Sequence, residues 1–249
     1  MTDLSVTEAT ASNASTTVPS NSSISPDAPS AQLSDQQIDL ICQSLYETGW
    51  VVMEDILSAE MVQALRADMQ QRDQAQQFFK AGIGRDKELV LRDDIRTDRI
   101  CWLDGDNPVQ GSFMSMLDQL MTAVNRRLFL GMNHFEAMYA IYEPGQFYKK
   151  HLDSFRGQRN RIMTLVFYLN PDWNSADGGQ FLLFPEVGEQ GQNMTDALQL
   201  SDAPIAKVEP EAGTVAAFLS EEFPHEVIIS QATRYSIAVW FRINDGIPV

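Results

Sequence analysis

Two cysteines, three histidines and a shortage of cations frame what this 249-residue chain can be. Cys42 and Cys101 cannot build a disulfide framework, which points to a reducing compartment and to two free thiols. Lysine and arginine together number 18 against 34 aspartates and glutamates, a formal net charge of -16. A surface so acidic repels phosphate backbones and anionic lipid, so nucleic acid and membrane are expected not to be partners. No stretch approaches the roughly 20 apolar residues needed to span a bilayer. The N-terminus also lacks the basic flank and apolar run of a signal peptide, so the chain is expected to be soluble and cytoplasmic. What it does have is an ordinary 44% of hydrophobic residues, enough for one large domain.

Residues 1–33 are rich in Ser, Thr, Ala, Asn and Pro, contain no Lys or Arg and carry no apolar periodicity. They read as a disordered tail, because they cannot bury enough surface to offset chain entropy. A single domain is expected over 34–249, with helical support at 34–130 and a β core at about 135–243. Ser34 and Ser58 are candidate caps for two helices, with Ile38, Ile41, Cys42 and Leu45 on one buried stripe and Met61, Val62, Leu65 and Met69 on the other. A third helix is expected from Ser112, where Phe113, Leu117, Leu120, Val124 and Leu128 keep a period near 3.6. Trp50 to Met53 reads as a strand. From about 135 onward eight short β segments alternate with turn formers such as Glu143-Pro144-Gly145 and Asp177-Gly178-Gly179. The fold class expected is therefore α+β, mainly β: two packed sheets or a jelly roll braced by N-terminal helices. Between the second and third helices, a glycine-punctuated and charged stretch over 82–101 reads as a mobile surface loop with a local excess of arginine.

With so few histidines, their placement is informative. His151-Leu152-Asp153 follows a tyrosine-rich strand, and in an extended chain residues i and i+2 project from one face. His151 and Asp153 can then converge with His225 from a distant strand. Two imidazoles and a carboxylate on one face of an octahedron leave three positions open, the arrangement of a non-haem Fe(II) site, whereas a structural zinc site is closed. Each residue alone is weak: a single histidine on a strand is more often structural, as His134 is expected to be. Arg234 opens the last strand, and the turn Ser230 to Thr233 suggests that this strand forms a hairpin with that of His225. Alternation sets Arg234, Ser236, Ala238 and Trp240 on one face. A guanidinium buried there needs a carboxylate, and none in the chain is evident, which favours a dicarboxylate ligand with Tyr168 as second donor. Taken singly, Arg234 in a surface salt bridge and Tyr168 as a core aromatic are the blander readings.

Together these segments resemble a known family. His151-x-Asp153, His225-Glu226-Val227, Ala232-Thr233-Arg234-Tyr235, Tyr168 to Trp173 and Gly178-Gly179 are similar to the Fe(II)/2-oxoglutarate-dependent prolyl hydroxylases of the egl-nine type. The similarity spans roughly 36–243 and includes Ile95 to Gly105. Collagen-type relatives usually carry lysine where this chain has Arg234. The resemblance implies a double-stranded β-helix, with His151, Asp153 and His225 ligating iron and with Arg234 and Tyr168 holding the far carboxylate of 2-oxoglutarate. It places Tyr142 near the metal and co-substrate, Trp240 in the pocket wall, and Arg96, Asp98, Arg99 and Trp102 in a substrate-covering segment. One departure is Ala238, where the animal enzymes have threonine, and two cysteines cannot supply an MYND-type zinc finger.

The implied reaction is hydroxylation at C4 of a prolyl residue in a cytosolic protein. It is coupled to decarboxylation of 2-oxoglutarate by dioxygen to succinate and carbon dioxide, with ascorbate as a candidate reductant. A translation-associated protein is one candidate target if the source is bacterial. The alternatives are a 2-oxoglutarate oxygenase acting on a small molecule or free amino acid and, from a different class, a non-catalytic β-helix binding module. A nucleic-acid demethylase is disfavoured by the charge. Oligomeric state is not legible at this level.

Overall fold

The computed structural model describes residues 28–82, 92–154, 161–186 and 203–243. Local chemistry starts the three helices. In α1 (Asp35–Glu47) the Ser34 side chain accepts from the Gln37 amide while Gln37 accepts from the Ser34 amide, a reciprocal capping box. Ser58 caps α2 (Ala59–Gln74) one way only, its side chain accepting from the Met61 amide at 3.2 Å. The third helix, α3 (Pro108–Leu128), starts a turn earlier than the expected Ser112, with Asn107 as cap and Pro108 at the first helical position. Apolar periodicity is silent over that first turn because a polar network holds it. Gln110 is fully buried and donates to Asp68 at 2.8 Å, and the Tyr139 hydroxyl donates to the same carboxylate at 2.7 Å.

Eleven strands among the described residues form two antiparallel sheets. They are β1 (Trp50–Met53), β2 (Phe79–Lys80), β3 (Arg99–Trp102), β4 (His134–Tyr142), β5 (Tyr148–His151), β6 (Arg161–Tyr168), β7 (Phe181–Leu183), β8 (Ala206–Val208), β9 (Val215–Leu219), β10 (His225–Val227) and β11 (Arg234–Arg242). The major sheet runs β1-β9-β6-β11-β4-β3-β2 and the minor sheet β5-β10-β7-β8. Its central strand β11 shows why the layers stack: Ile237, Val239 and Phe241 are fully buried in the core that the helices cover. Side chains of this kind contribute about 1.5–3 kcal/mol each when removed from water. The opposite face, Arg234, Ser236, Ala238 and Trp240, looks into the space between the sheets.

Three expectations need correction. β10 and β11 are not a hairpin: β10 pairs with β5 and β7 in the minor sheet, whereas β11 pairs with β4 and β6 in the major sheet. The short link between them crosses from one sheet to the other. Nor is the whole stretch 82–101 a surface loop. Residues 83–91 lie outside the described residues, but Lys149 donates to the Ile95 carbonyl at 2.9 Å, Thr97 donates to Phe147 at 3.2 Å, and Arg99–Trp102 is strand β3 against β4. Finally, the expected tail 1–33 divides. Residues 1–27 lie outside the described residues, while Pro29 and Ala31 dock on α3, the Ala31 amide donating to Ser112 Oγ, which donates to the Pro29 carbonyl, each at 2.9 Å. Among the described residues no helix is long and apolar enough to cross a membrane, and both cysteines are buried free thiols.

Candidate active site

Strand register brings the two distant histidines together. His151, the last residue of β5, lies directly opposite His225, the first of β10, and their rings are 4.2 Å apart at the centroids. Asp153 follows just past the end of β5, its oxygens 3.7 Å from His151 Nε2 and 3.5 Å from His225 Nε2. One ligand atom from each residue falls within 4.8 Å of the others. The far side of each ring is occupied. His151 Nδ1 lies 2.8 Å from the Lys149 carbonyl and His225 Nδ1 3.1 Å from the Phe223 carbonyl. A carbonyl only accepts, so each Nδ1 carries the proton and each Nε2 turns a lone pair toward the common point. This is how backbone partners fix the tautomer of metal-ligating histidines.

The carboxylate is oriented too. Thr164 Oγ1, on β6, donates to Asp153 at 2.8 Å and sits 2.8 Å from Ser220 Oγ. Burial pushes the Asp153 carboxyl up, but His225, His151 and Arg161 outweigh it and hold its pKa at about 2. Burial, reinforced by His225, holds His151 well below the ordinary imidazole value despite Asp153. A neutral imidazole beside an ionised carboxylate is the protonation state a divalent cation requires.

Across the gap, Arg234 is 1% exposed at the start of β11. Its Nε donates to the Gly179 carbonyl at 2.9 Å and Nη1 to Ser236 Oγ at 3.0 Å, yet Nη2 has no partner. No carboxylate meets this cation among the described residues. The Tyr168 hydroxyl is also buried without a partner, its ring 5.1 Å from the guanidinium carbon, and the Tyr142 ring is 5.0 Å away. Burial raises the pKa of both phenols, so each remains a protonated donor. A buried cation with two orphaned donors is costly unless an anion completes it. A two-ended ligand therefore fits: one end at the His151, Asp153 and His225 cluster, the other a carboxylate on Arg234 and Tyr168. Between them lies a cavity walled in part by Met138, Ala140, Val166, Phe181 and Trp240.

Gly178 and Gly179 make this cradle possible. At Gly178, with φ +65°, a Cβ would sit 2.3 Å from the Ile229 carbonyl oxygen. At Gly179 it would lie 2.8 Å from Ser230 Oγ and 3.1 Å from the Arg234 side chain. Ala238 lines the wall and brings no hydrogen-bonding group. Of the four residues expected in the covering segment, Arg96 alone lines the cavity. Asp98 is fully buried as its bidentate partner, at 2.7 and 2.8 Å. Arg99 is engaged by Asp73 and by Glu143, and Trp102, 42% exposed, stands 6.4 Å from Trp240 between ring centroids. Thr164 and Tyr148 escaped the reading of the sequence, because neither residue type announces metal chemistry. The register of Thr164 opposite Trp240 would have pointed to the first.

Known proteins share both sequence and form. The family model described as 2OG-Fe(II) oxygenase superfamily matches residues 137–242. Egl nine homolog 1 of Homo sapiens is 30% identical over 217 residues, covering 82% of this chain and 46% of that protein. The chain thus spans about half the length of the Egl nine homolog 1 proteins it matches. A prolyl-4-hydroxylase from Pseudomonas putida is 35% identical with a TM-score of 0.71, over 82% of this chain and 98% of that one. A prolyl hydroxylase from Trichoplax adhaerens, solved with a hypoxia inducible factor peptide, is 26% identical with a TM-score of 0.70, over 83% of this chain and 89% of that one. With the double-stranded β-helix, the candidate metal-ligand cluster and the orphaned arginine all in place, the chain belongs to the 2OG-Fe(II) oxygenase superfamily and, within it, to the prolyl hydroxylase group.

Proposed function

We propose that this protein is an Fe(II)- and 2-oxoglutarate-dependent dioxygenase that hydroxylates C4 of a prolyl residue in a protein. The observation that carries the reading is the pairing of the His151, Asp153 and His225 cluster with the buried, carboxylate-free Arg234 across one cavity. Bound iron, with 2-oxoglutarate and dioxygen, supplies the oxidising power for an unactivated C–H bond, the co-substrate leaving as succinate and carbon dioxide.

The chain's own residues do the rest. His151 and His225 present neutral Nε2 donors, and Asp153 presents a carboxylate held ionised and aimed by Thr164. Arg234 and Tyr168 receive the far carboxylate of the co-substrate, which sets its length along the cavity. Tyr142 packs against that end, while Met138, Val166 and Phe181 exclude water from the reacting region. Trp240, in the cavity wall, and the exposed Trp102 lie together, and this aromatic pair is the surface proposed to receive a polypeptide. A protein substrate is supported by the Trichoplax relative, which was solved with a peptide. A cytoplasmic, translation-associated protein of a bacterial source is the target class favoured, and ascorbate is the reductant to supply in assays.

The test is direct. Iron-loaded protein should convert 2-oxoglutarate to succinate, and Asp153→Ala and His225→Ala should each abolish the conversion. Unchanged succinate production in both variants would sink the metal assignment. Lysate proteins incubated with enzyme should then gain one oxygen atom on a proline-containing peptide. Turnover of a metabolite without such a gain would favour a small-molecule oxygenase instead.

A further inference from the structure

The His151 ring is held on a second side by something the metal chemistry does not account for. Tyr148, three residues earlier on β5, stacks on it with centroids 3.6 Å apart and planes 15° from parallel. The guanidinium carbon of Arg96 in turn lies 4.6 Å from the centre of the Tyr148 ring. Arg96 is 8% exposed and its fork is closed by the fully buried Asp98 through Nε and Nη2. The backbone locks the same layers, because Arg96 pairs with Tyr148 in an antiparallel bridge flanked by the Lys149 to Ile95 hydrogen bond. A charged pair this deep is weak evidence for stability, since its desolvation cost rivals its attraction. Planar stacking of a guanidinium on an aromatic face, by contrast, fixes orientation.

We propose that Arg96 is a positioning residue for the metal ligand His151, acting through the Tyr148 ring, with Asp98 as the buried counter-ion that holds the guanidinium flat. This rests on the reading of His151, Asp153 and His225 as an iron site. The stack and the Nδ1 contact to Lys149 constrain the imidazole along two different directions. Without the stack, the ring can turn about its Cβ–Cγ bond, and the site must order it each time a metal binds. Partners that orient a ligating histidine in this way are worth about 10- to 100-fold in metal affinity.

The experiment titrates metal-free protein with Mn(II), read by the loss of the free-ion electron paramagnetic resonance signal. Parent protein and four variants are compared: Tyr148→Leu, Tyr148→Phe, Arg96→Lys and Asp153→Ala. Tyr148→Leu removes the stacking plate but leaves the Arg96–Asp98 pair intact, so it tests the idea even if variants of the ion pair fold poorly. About tenfold weaker Mn(II) binding is expected for Tyr148→Leu and for Arg96→Lys, with near-parental binding for Tyr148→Phe. Thermal unfolding of the metal-free samples identifies any variant that is simply less folded. Measured with metal saturating, the 2-oxoglutarate KM, which Arg234 on the opposite sheet is proposed to set, should rise less than the Mn(II) dissociation constant does in Tyr148→Leu. Mn(II) affinity unchanged in both Tyr148→Leu and Arg96→Lys would overturn the proposal, as would a change in KM alone. Failure of the parent to bind Mn(II) better than Asp153→Ala would instead overturn the iron site itself.

Discussion

Arg234→Met separates what the buried guanidinium does for the fold from what it does for the ligand. Methionine fills most of the volume and stays apolar, and the site it enters is 1% exposed. In the ligand-free protein the substitution removes a cation that has no carboxylate partner, which is stabilising. It also orphans the Gly179 carbonyl and Ser236 Oγ, at about 1 kcal/mol each, which is destabilising. These effects oppose each other, so the melting temperature without ligand should move little or rise. Ligand binding should not be so forgiving. A far carboxylate entering this pocket loses its charged partner and is left buried with Tyr168 alone, a penalty of about 3–5 kcal/mol. At about 1.4 kcal/mol per decade, 2-oxoglutarate affinity should fall by about two to three and a half orders of magnitude. Calorimetric titration of 2-oxoglutarate into Mn(II)-loaded protein under argon measures this directly. The thermal shift that saturating ligand gives the parent should vanish in the variant. Co-substrate affinity within about threefold of the parent, in a variant that melts normally, would falsify the assignment of Arg234 as the carboxylate receptor.

Other perturbations follow from the same geometry. Tyr168→Phe should weaken 2-oxoglutarate by about 10- to 100-fold, less than Arg234→Met, because one neutral donor to a charged group is worth about 1.5–3 kcal/mol; equal losses in the two variants would contradict the division of labour. Thr164→Val removes the hydroxyl that aims Asp153, and about tenfold weaker Mn(II) binding is expected without loss of fold. Gly178→Ala drives a Cβ to 2.3 Å from the Ile229 carbonyl at φ +65°, so a loss of about 1–3 kcal/mol in urea unfolding is expected, together with raised KM for 2-oxoglutarate. In the metal-free protein the folded-state pKa of His151 lies well below the ordinary 6.5, so the unfolded chain takes up this proton first as pH falls. Stability should therefore decline from about pH 6.5 downward, and His151→Gln should flatten that decline in urea midpoints compared at neutral and mildly acid pH.

The elements most readable in the sequence were those whose energetics are local. Serine caps at 34 and 58 and apolar stripes of period 3.6 mark the helices, and all eight strands expected beyond residue 135 are present within a few residues. What escaped was decided by pairing. β2 has two residues, both exposed, and leaves no alternation to detect. β3 sits in a stretch whose arginines and aspartates suggest solvent, yet Arg96 and Asp98 neutralise each other inside the protein. A signal was available there: in extended chain, an arginine and an aspartate two apart share a face and can close a fork on each other.

The mistaken hairpin is the more instructive case, because correcting it changes the chemistry. Were β10 and β11 hairpin partners, His225 and Arg234 would stand in one wall, and a ligand would have to lie flat along a single sheet. Placing β10 in the minor sheet and β11 in the major one sets the proposed metal ligands and the arginine on facing walls with the cavity between. A small dicarboxylate can then bridge the two sheets, its near end chelating and its far end caught by the fork. The link over 228–233 that looks like a tight turn is what allows this: the Ser230 amide donates to Gln146 at 2.9 Å, and its carbonyl accepts from Gly145 at 2.7 Å. Turn-forming residues fix a local reversal, but only the strands they join decide whether the chain returns to the same sheet or crosses to the other. In this fold the crossing sets the His151, Asp153 and His225 cluster on one wall and Arg234 on the other, and on the proposed reading that separation would match the length of the co-substrate.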